Sequence, residues 1–154
     1  MVQAQQVRMS STYHRRGLVL RLLTRMPAVD RFVTEREKQR AIVEILARRD
    51  VAGAVAAMQQ DPQNIARVAR AIASRHSIHV AVHGCQALID FKNAGGNIDY
   101  ASVRAKLIWV RATAEPFEVR QYANLALFAM TSNEPVDCRS PYVLFASSRS
   151  MVTF

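Results

Sequence analysis

The chain reads as all-α, built from helix pairs laid side by side. Three observations carry that expectation. Half of its 154 residues are hydrophobic while only 5 are Gly and 5 Pro, the composition of packed helices rather than of a disordered chain. From about residue 35 to 130, apolar residues recur at the i, i+3, i+4, i+7 spacing that gathers them on one helical face. The helix-breaking pairs Asp61-Pro62, Gly95-Gly96 and Glu115-Pro116 fall between those periodic stretches. A domain of this length hides about 70% of its unfolded surface, enough for one real core.

Residues 1–29 stand apart. They hold no Asp or Glu, and Arg8, Arg15, Arg16, Arg21 and Arg25 are interleaved with Ser10, Ser11, Thr12 and the apolar stretch 17–23. Arg-rich, acid-poor and amphipathic sequence describes a mitochondrial targeting segment left uncleaved, and equally a basic arm that clamps an anionic neighbour. The expected organisation is this arm or signal at 1–29, a helical-repeat domain at 30–135 and a C-terminal docking tail at 136–154.

Thr34 and Glu37 have the spacing of a capping box, which predicts a helix over about 35–49 with Ile42, Val43, Ile45 and Leu46 inside. Asp50 and Gly53 are expected to interrupt it before a short helix carrying Val51, Val55 and Met58. Asp61-Pro62 predicts a start at residue 62, because Asp accepts from free amides and Pro needs none at a first helical position. Ile65, Val68, Ala69 and Ile72 form its stripe, with Arg67 and Arg70 together on a flank. Ser77 is placed to cap a helix over about 78–91, and Ala94-Gly95-Gly96-Asn97 ends it, since glycine turns a helix end through positive φ. Asp99 is expected to cap a helix over about 100–112 in which Val103, Leu107, Val110 and Ala114 make a stripe widened by Ile108 and Trp109. Glu115-Pro116 opens the last, over about 116–130. That helix is apolar nearly all round and is expected to be the most buried element. In the tail, the alternation around Tyr142, Leu144 and Ala146 suits an edge strand or a docked arm.

Formal net charge is +9, and 18 of the 21 basic residues are Arg. Guanidinium forks onto phosphate and carboxylate, so an anionic partner is expected; a genome rich in Arg codons would give the same count. The two cysteines, Cys85 in an apolar helix and Cys138 in the tail, are not a disulfide framework, which favours an intracellular compartment, mitochondrial or otherwise cytoplasmic. His79 and His83 are i, i+4 neighbours with no acidic or thiol ligand at a familiar spacing, so no metal site is expected. No apolar run reaches the ~18 residues of a membrane span. Nucleotide-binding, zinc-protease and serine-hydrolase motifs are missing, and His83 and Cys85 at i, i+2 point to different sides of a helix. The expectation is a non-enzyme with no cofactor and no small-molecule substrate.

An internal repeat sharpens the fold. Residues 79–91 lie over residues 118–130 at an offset of 39, with Val, a small residue, Ala, Leu and a large apolar residue in step. Val80, Gly84-Cys85 and Ala87-Leu88, matched by Val119, Ala123 and Ala126-Leu127, resemble the inner helix of an armadillo repeat, whose family includes arrays of about 40–47 residues per unit. The resemblance spans about residues 36–135. It implies an ARM/HEAT-like α-solenoid: a short right-handed stack of antiparallel helix pairs with extended N- and C-terminal arms. It further implies a scaffold that binds protein partners in a larger complex; if residues 1–29 are a targeting segment, the alternative is an accessory subunit of a mitochondrial complex. The Asn that some such proteins use on the inner helix would be Asn124.

A second likeness points to nucleic acid. Phe117-Glu118-Val119-Arg120-Gln121-Tyr122-Ala123 through Pro135 is similar to part of the core of coat proteins from flexible filamentous plant RNA viruses, where an Arg-Gln pair opens a helix along the RNA groove. That would turn Arg120 toward phosphate. The Phe-Asp-Phe-Phe block of those proteins is matched only by Phe145-Ala146-Ser147-Ser148, which lacks the Asp. Taken together, Arg15, Arg16, Arg67, Arg70, Arg104, Arg111, Arg120 and Asn124 are the candidate partner-binding residues, against RNA, another polyanion or an acidic protein surface. Solvated helix faces are the plain alternative for the arginines.

Overall fold

A computed structural model of the chain describes residues 33–74 and 77–139. The arm at 1–29 and the alternating tail beyond residue 139 lie outside the described residues. Those residues fold into six α-helices without a strand: α1 (Glu35–Ala47), α2 (Val51–Gln60), α3 (Gln63–Ala73), α4 (Ile78–Asn93), α5 (Ala101–Thr113) and α6 (Phe117–Thr131). None is long and apolar enough to cross a membrane.

Local chemistry explains most of the boundaries. The Thr34 hydroxyl accepts the Glu37 amide at 3.1 Å, and the Glu37 carboxylate takes the Thr34 amide in return, so two free helix-start donors are satisfied reciprocally. The Asp50 carboxylate caps α2 by accepting from the Gly53 amide. Gly53 therefore lies within α2 rather than interrupting it, and a Cβ there would fall 2.2 Å from the capping carboxylate. Ser77 caps α4 through the Val80 amide. At the far end of α4, Gly95 takes φ +96°. Its amide reaches Lys92 O and that of Gly96 reaches Phe91 O, the paired bonds that close a helix on a left-handed residue.

Two starts differ from expectation. Asp61 accepts the Gln63 amide, but the helix begins at Gln63, not at Pro62. Asp99 does not cap α5: Tyr100 occupies the cap position without a side-chain bond, and the Asp99 carboxylate pairs with Arg104 instead. A charge-assisted bond to a guanidinium outcompetes a bond to a neutral amide.

Packing centres on α4, which lies against α1, α2, α3 and α6. Leu88 and Ile89 of α4, Ile42 and Leu46 of α1, Met58 of α2 and Val68 of α3 are sealed from solvent. Each side chain of that kind contributes about 1.5–3 kcal/mol on full burial. At Gly84, α4 crosses so closely that a Cβ would stand 2.5 Å from Ile72 Cγ1 of α3. The other contacts join α1 to α2 and α3, α2 to α3, α3 to α5, and α5 to α6.

The last helix is not the most buried element. It buries 8 of 15 residues, against 7 of 11 in α3, because α4 and α5 are its main neighbours while α3 packs on four helices. Ile108 and Trp109 do not widen the α5 stripe either: they are 42% and 47% exposed. The backbone beyond α6 turns back along the body. Asn93 holds Val136 through both its amide and its carbonyl, and the Tyr122 hydroxyl donates to Arg139 O at 3.0 Å. The Lys92 ammonium donates to Ala129 O and Ser132 O, placing a cation where the C-terminus of α6 carries partial negative charge.

Candidate functional site

Of the predicted partner-binding arginines, Arg67 is the clearest correction. Its side chain is only 2% exposed, under α1 rather than on an outer flank. Nε and Nη2 donate to the two oxygens of Glu35 at 2.8 and 2.7 Å, and Nη1 donates to Asn64 Oδ1 at 2.6 Å. Asp61 and Gln63 complete the shell. The planar guanidinium thus serves as an internal clamp between α1 and α3, and no donor geometry is left for an external anion.

Arg70, one helical turn on, does reach solvent, and its Nη1 donates to Gln39 Oε1 at 3.0 Å. It borders a groove of about 530 Å³ between α1 and α3, lined with Glu35, Arg36, Gln39, Arg40 and Val43. Arg36 and Arg40 are exposed. Glu35 is the one acid in this lining and is already engaged by Arg67, whose bidentate bond holds its carboxyl below the usual glutamate range. Arg70 Nη1 also lies 3.5 Å from Glu35 Oε2, so that one carboxylate is shared by Arg67 and Arg70, and the positive charge of Arg36 and Arg40 is in excess within the groove lining. Arg36 and Arg40 were missed in the sequence. Their signal was the i, i+4 spacing on the face of α1 away from Ile42 and Ile45.

The remaining candidates gather at the α5/α6 pair. Arg111 donates to Asn124 Oδ1 at 3.2 Å, so Asn124, buried to 6% exposure, is a link between two helices. Arg104 is paired with Asp99. Arg120 lies with its guanidinium 5.5 Å from the Phe117 ring centroid, in cation–π range. Its Nε and the neighbouring Gln121 Oε1 are buried without a hydrogen-bond partner among the described residues. Arg15 and Arg16 lie outside the described residues.

The His79 and His83 rings stack at 6.0 Å. Burial lowers the His83 pKa, and Arg49 Nη2 lies 3.4 Å from His79 Nε2, a poor neighbour for a cation. Among the described residues no group of three His, Cys, Asp or Glu could hold a metal ion. An aliphatic cavity of about 270 Å³ opens between the starts of α4 and α6, lined by Ile72, Ile78, Ala81, Val110 and Val119. Ser77 at its edge is engaged as the cap of α4.

Burial pushes the Cys85 thiol up to about 12. Burial and the hydrogen bond from Cys138 Sγ to Asp90 do the same for Cys138. Thiolate is the reactive form, so both cysteines are expected to alkylate with iodoacetamide at pH 8 at least about tenfold more slowly in the native chain than in denaturant. Equal rates, read by intact mass, would place these thiols in solvent.

Comparison of this chain with protein-family models, curated proteins and solved structures finds no match.

Proposed function

We propose that this chain is a non-catalytic helical-repeat scaffold, a small basic subunit of a larger assembly that contacts an anionic partner through the α1/α3 groove. The pattern of helix neighbours carries the reading. α1, α3 and α5 pack in succession, as do α2, α4 and α6, and α1 meets α2, α3 meets α4, and α5 meets α6. Two rows joined by rungs are what a stack of three helix pairs of ARM/HEAT type requires, since one pair cannot cover its own apolar stripe. Cys85 and Asn124, the matched inner-helix positions, are both buried, so these two side chains serve the core rather than a partner. Three exposed arginines, Arg36, Arg40 and Arg70, gather on α1 and α3.

The test is binding of the purified chain to a labelled single-stranded RNA and to an Asp/Glu-rich peptide across a salt series. Binding to one of them is expected to weaken at least about tenfold in R36Q/R40Q/R70Q. If the RNA is the ligand, the slope of log affinity on log salt should fall by about two, near 0.7 for each phosphate that is no longer neutralised. Unchanged affinity and slope for both probes would reject the groove.

A second reading is favoured by one observation, the unpaired Arg120 Nε and Gln121 Oε1 in the Arg-Gln pair shared with the filamentous-virus coat proteins. On that reading the chain alone, mixed with RNA, assembles filaments visible by negative-stain microscopy. Discrete particles without filaments would reject it.

A further inference from the structure

The outward face of α5 is built like a helix interface. Val103, Leu107 and Val110 are the buried stripe of α5. Ala101, Ala105, Ile108, Trp109 and Ala112 recur at i, i+4, i+7, i+8 and i+11, which sets them on the opposite side of the helix. All five are exposed, and no charge interrupts them. Flat solvated helix surfaces ordinarily carry Lys, Glu or Gln at such positions, so a continuous uncharged strip with a half-exposed tryptophan marks a contact surface. The three alanines let another helix approach closely, while Ile108 and Trp109 supply anchors.

We infer that this face seats an amphipathic helix of another protein, one with an apolar stripe toward α5 and Asp or Glu along its edges. The inference rests on the reading of the chain as stacked helix pairs, in which α5 ends its row and the next helix would sit here. Charge selects the occupant. Arg111 flanks the strip on one side, with Arg104 beside it paired to Asp99, and Lys106 flanks it on the other, while α5 itself contains no acidic residue. A second copy would bring like charges together. The chain's own residues 1–29 and 140–154 contain no Asp or Glu, so neither supplies the acidic edges. An acidic-edged partner helix satisfies both the strip and its borders, as helix-in-groove recognition does.

The chain has one tryptophan, Trp109, so its fluorescence reports this face directly. The experiment measures emission and acrylamide quenching of the purified full chain with four probes. These are a tryptophan-free Leu/Ala amphipathic peptide of about 20 residues with Glu edges, long enough to be helical, the same peptide with Lys edges, a peptide of residues 140–154, and a single-stranded RNA. The Glu-edged peptide is expected to shift emission to the blue and cut quenching about threefold, with affinity at least about tenfold above that of the Lys-edged peptide. A105E, which puts a carboxylate in the strip, should abolish the response with helical circular dichroism unchanged. R36Q/R40Q/R70Q should retain it, so loss of groove binding and loss of this response are separate results. The inference is overturned if the Glu-edged peptide gives no protection. It is equally overturned if Trp109 is already protected in the isolated chain, whether or not protection grows with concentration, or if the RNA or the 140–154 peptide protects it instead.

Discussion

Arg67→Ala is expected to cost about 3 kcal/mol of stability, a fall in the unfolding midpoint of roughly 10–20 °C by calorimetry. The loss does not come mainly from the ion pair. The Glu35 side chain is 57% exposed, and once released it regains water, so its pairing is screened and worth little by itself. The greater cost arises deeper in the fold: Asn64, fully buried, loses the donor to its Oδ1, and the volume of the arginine stem is left empty between α1 and α3. Glu35→Gln should cost less, about 1–2 kcal/mol, because Gln can accept only one of the two bonds from the buried guanidinium, and Arg67→Met should cost less than Arg67→Ala because it refills part of the space. Equal losses for Glu35→Gln and Arg67→Ala would show that charge pairing dominates. The pH dependence follows in sign. Arg67 holds the Glu35 carboxyl below its ordinary range, so at acid pH the unfolded chain binds the proton first. This contribution is complete above the ordinary glutamate value of about 4.3 and is lost as pH falls through the lower folded value. Arg67→Ala should flatten that acid slope.

Gly84→Leu is the second large effect, with an expected loss of about 3 kcal/mol or more in urea unfolding. A Cβ at this position meets Ile72 Cγ1 at 2.5 Å, with Leu46 Cδ1 at 3.6 Å behind it. The first is a branch atom of a fully buried side chain and has no free space to enter. Gly84→Ala separates two opposed effects: alanine adds about 1 kcal/mol of helix propensity, and the overlap with Ile72 removes more than that. A net destabilisation is expected. A more stable Gly84→Ala would mean that α3 and α4 can part at little cost. Thirty-nine residues on, α6 has Ala123 at the position that the sequence comparison sets opposite Gly84, and it too is buried.

The caps and stripes were legible because they depend on neighbours three or four positions away. Thr34 with Glu37, Ser77, and Gly95 with Gly96 all acted where their local chemistry placed them. The candidate site was less legible. Arg67 and Arg70 have the same local description, two arginines at i, i+3 in an amphipathic helix, yet one is a sealed clamp and the other borders solvent. What separates them is Glu35, 32 positions from Arg67 in the chain. Trp109 failed in the opposite sense. Hydrophobicity suggested the core, but its angular position on α5 sets it away from the buried stripe of Val103, Leu107 and Val110, and it is 47% exposed.

Sequence alone determined that this protein is all helical within the described residues, where most of those helices start and stop, and which face of most of them is apolar. The tertiary structure decided which cations are internal, that Arg36, Arg40 and Arg70 gather at the groove between α1 and α3, and that α5 turns an uncharged strip to solvent. The physical reason is range. Capping and periodicity are satisfied within about one turn of helix, whereas burial of a charge or exposure of a tryptophan depends on which distant helix occupies the space beside it.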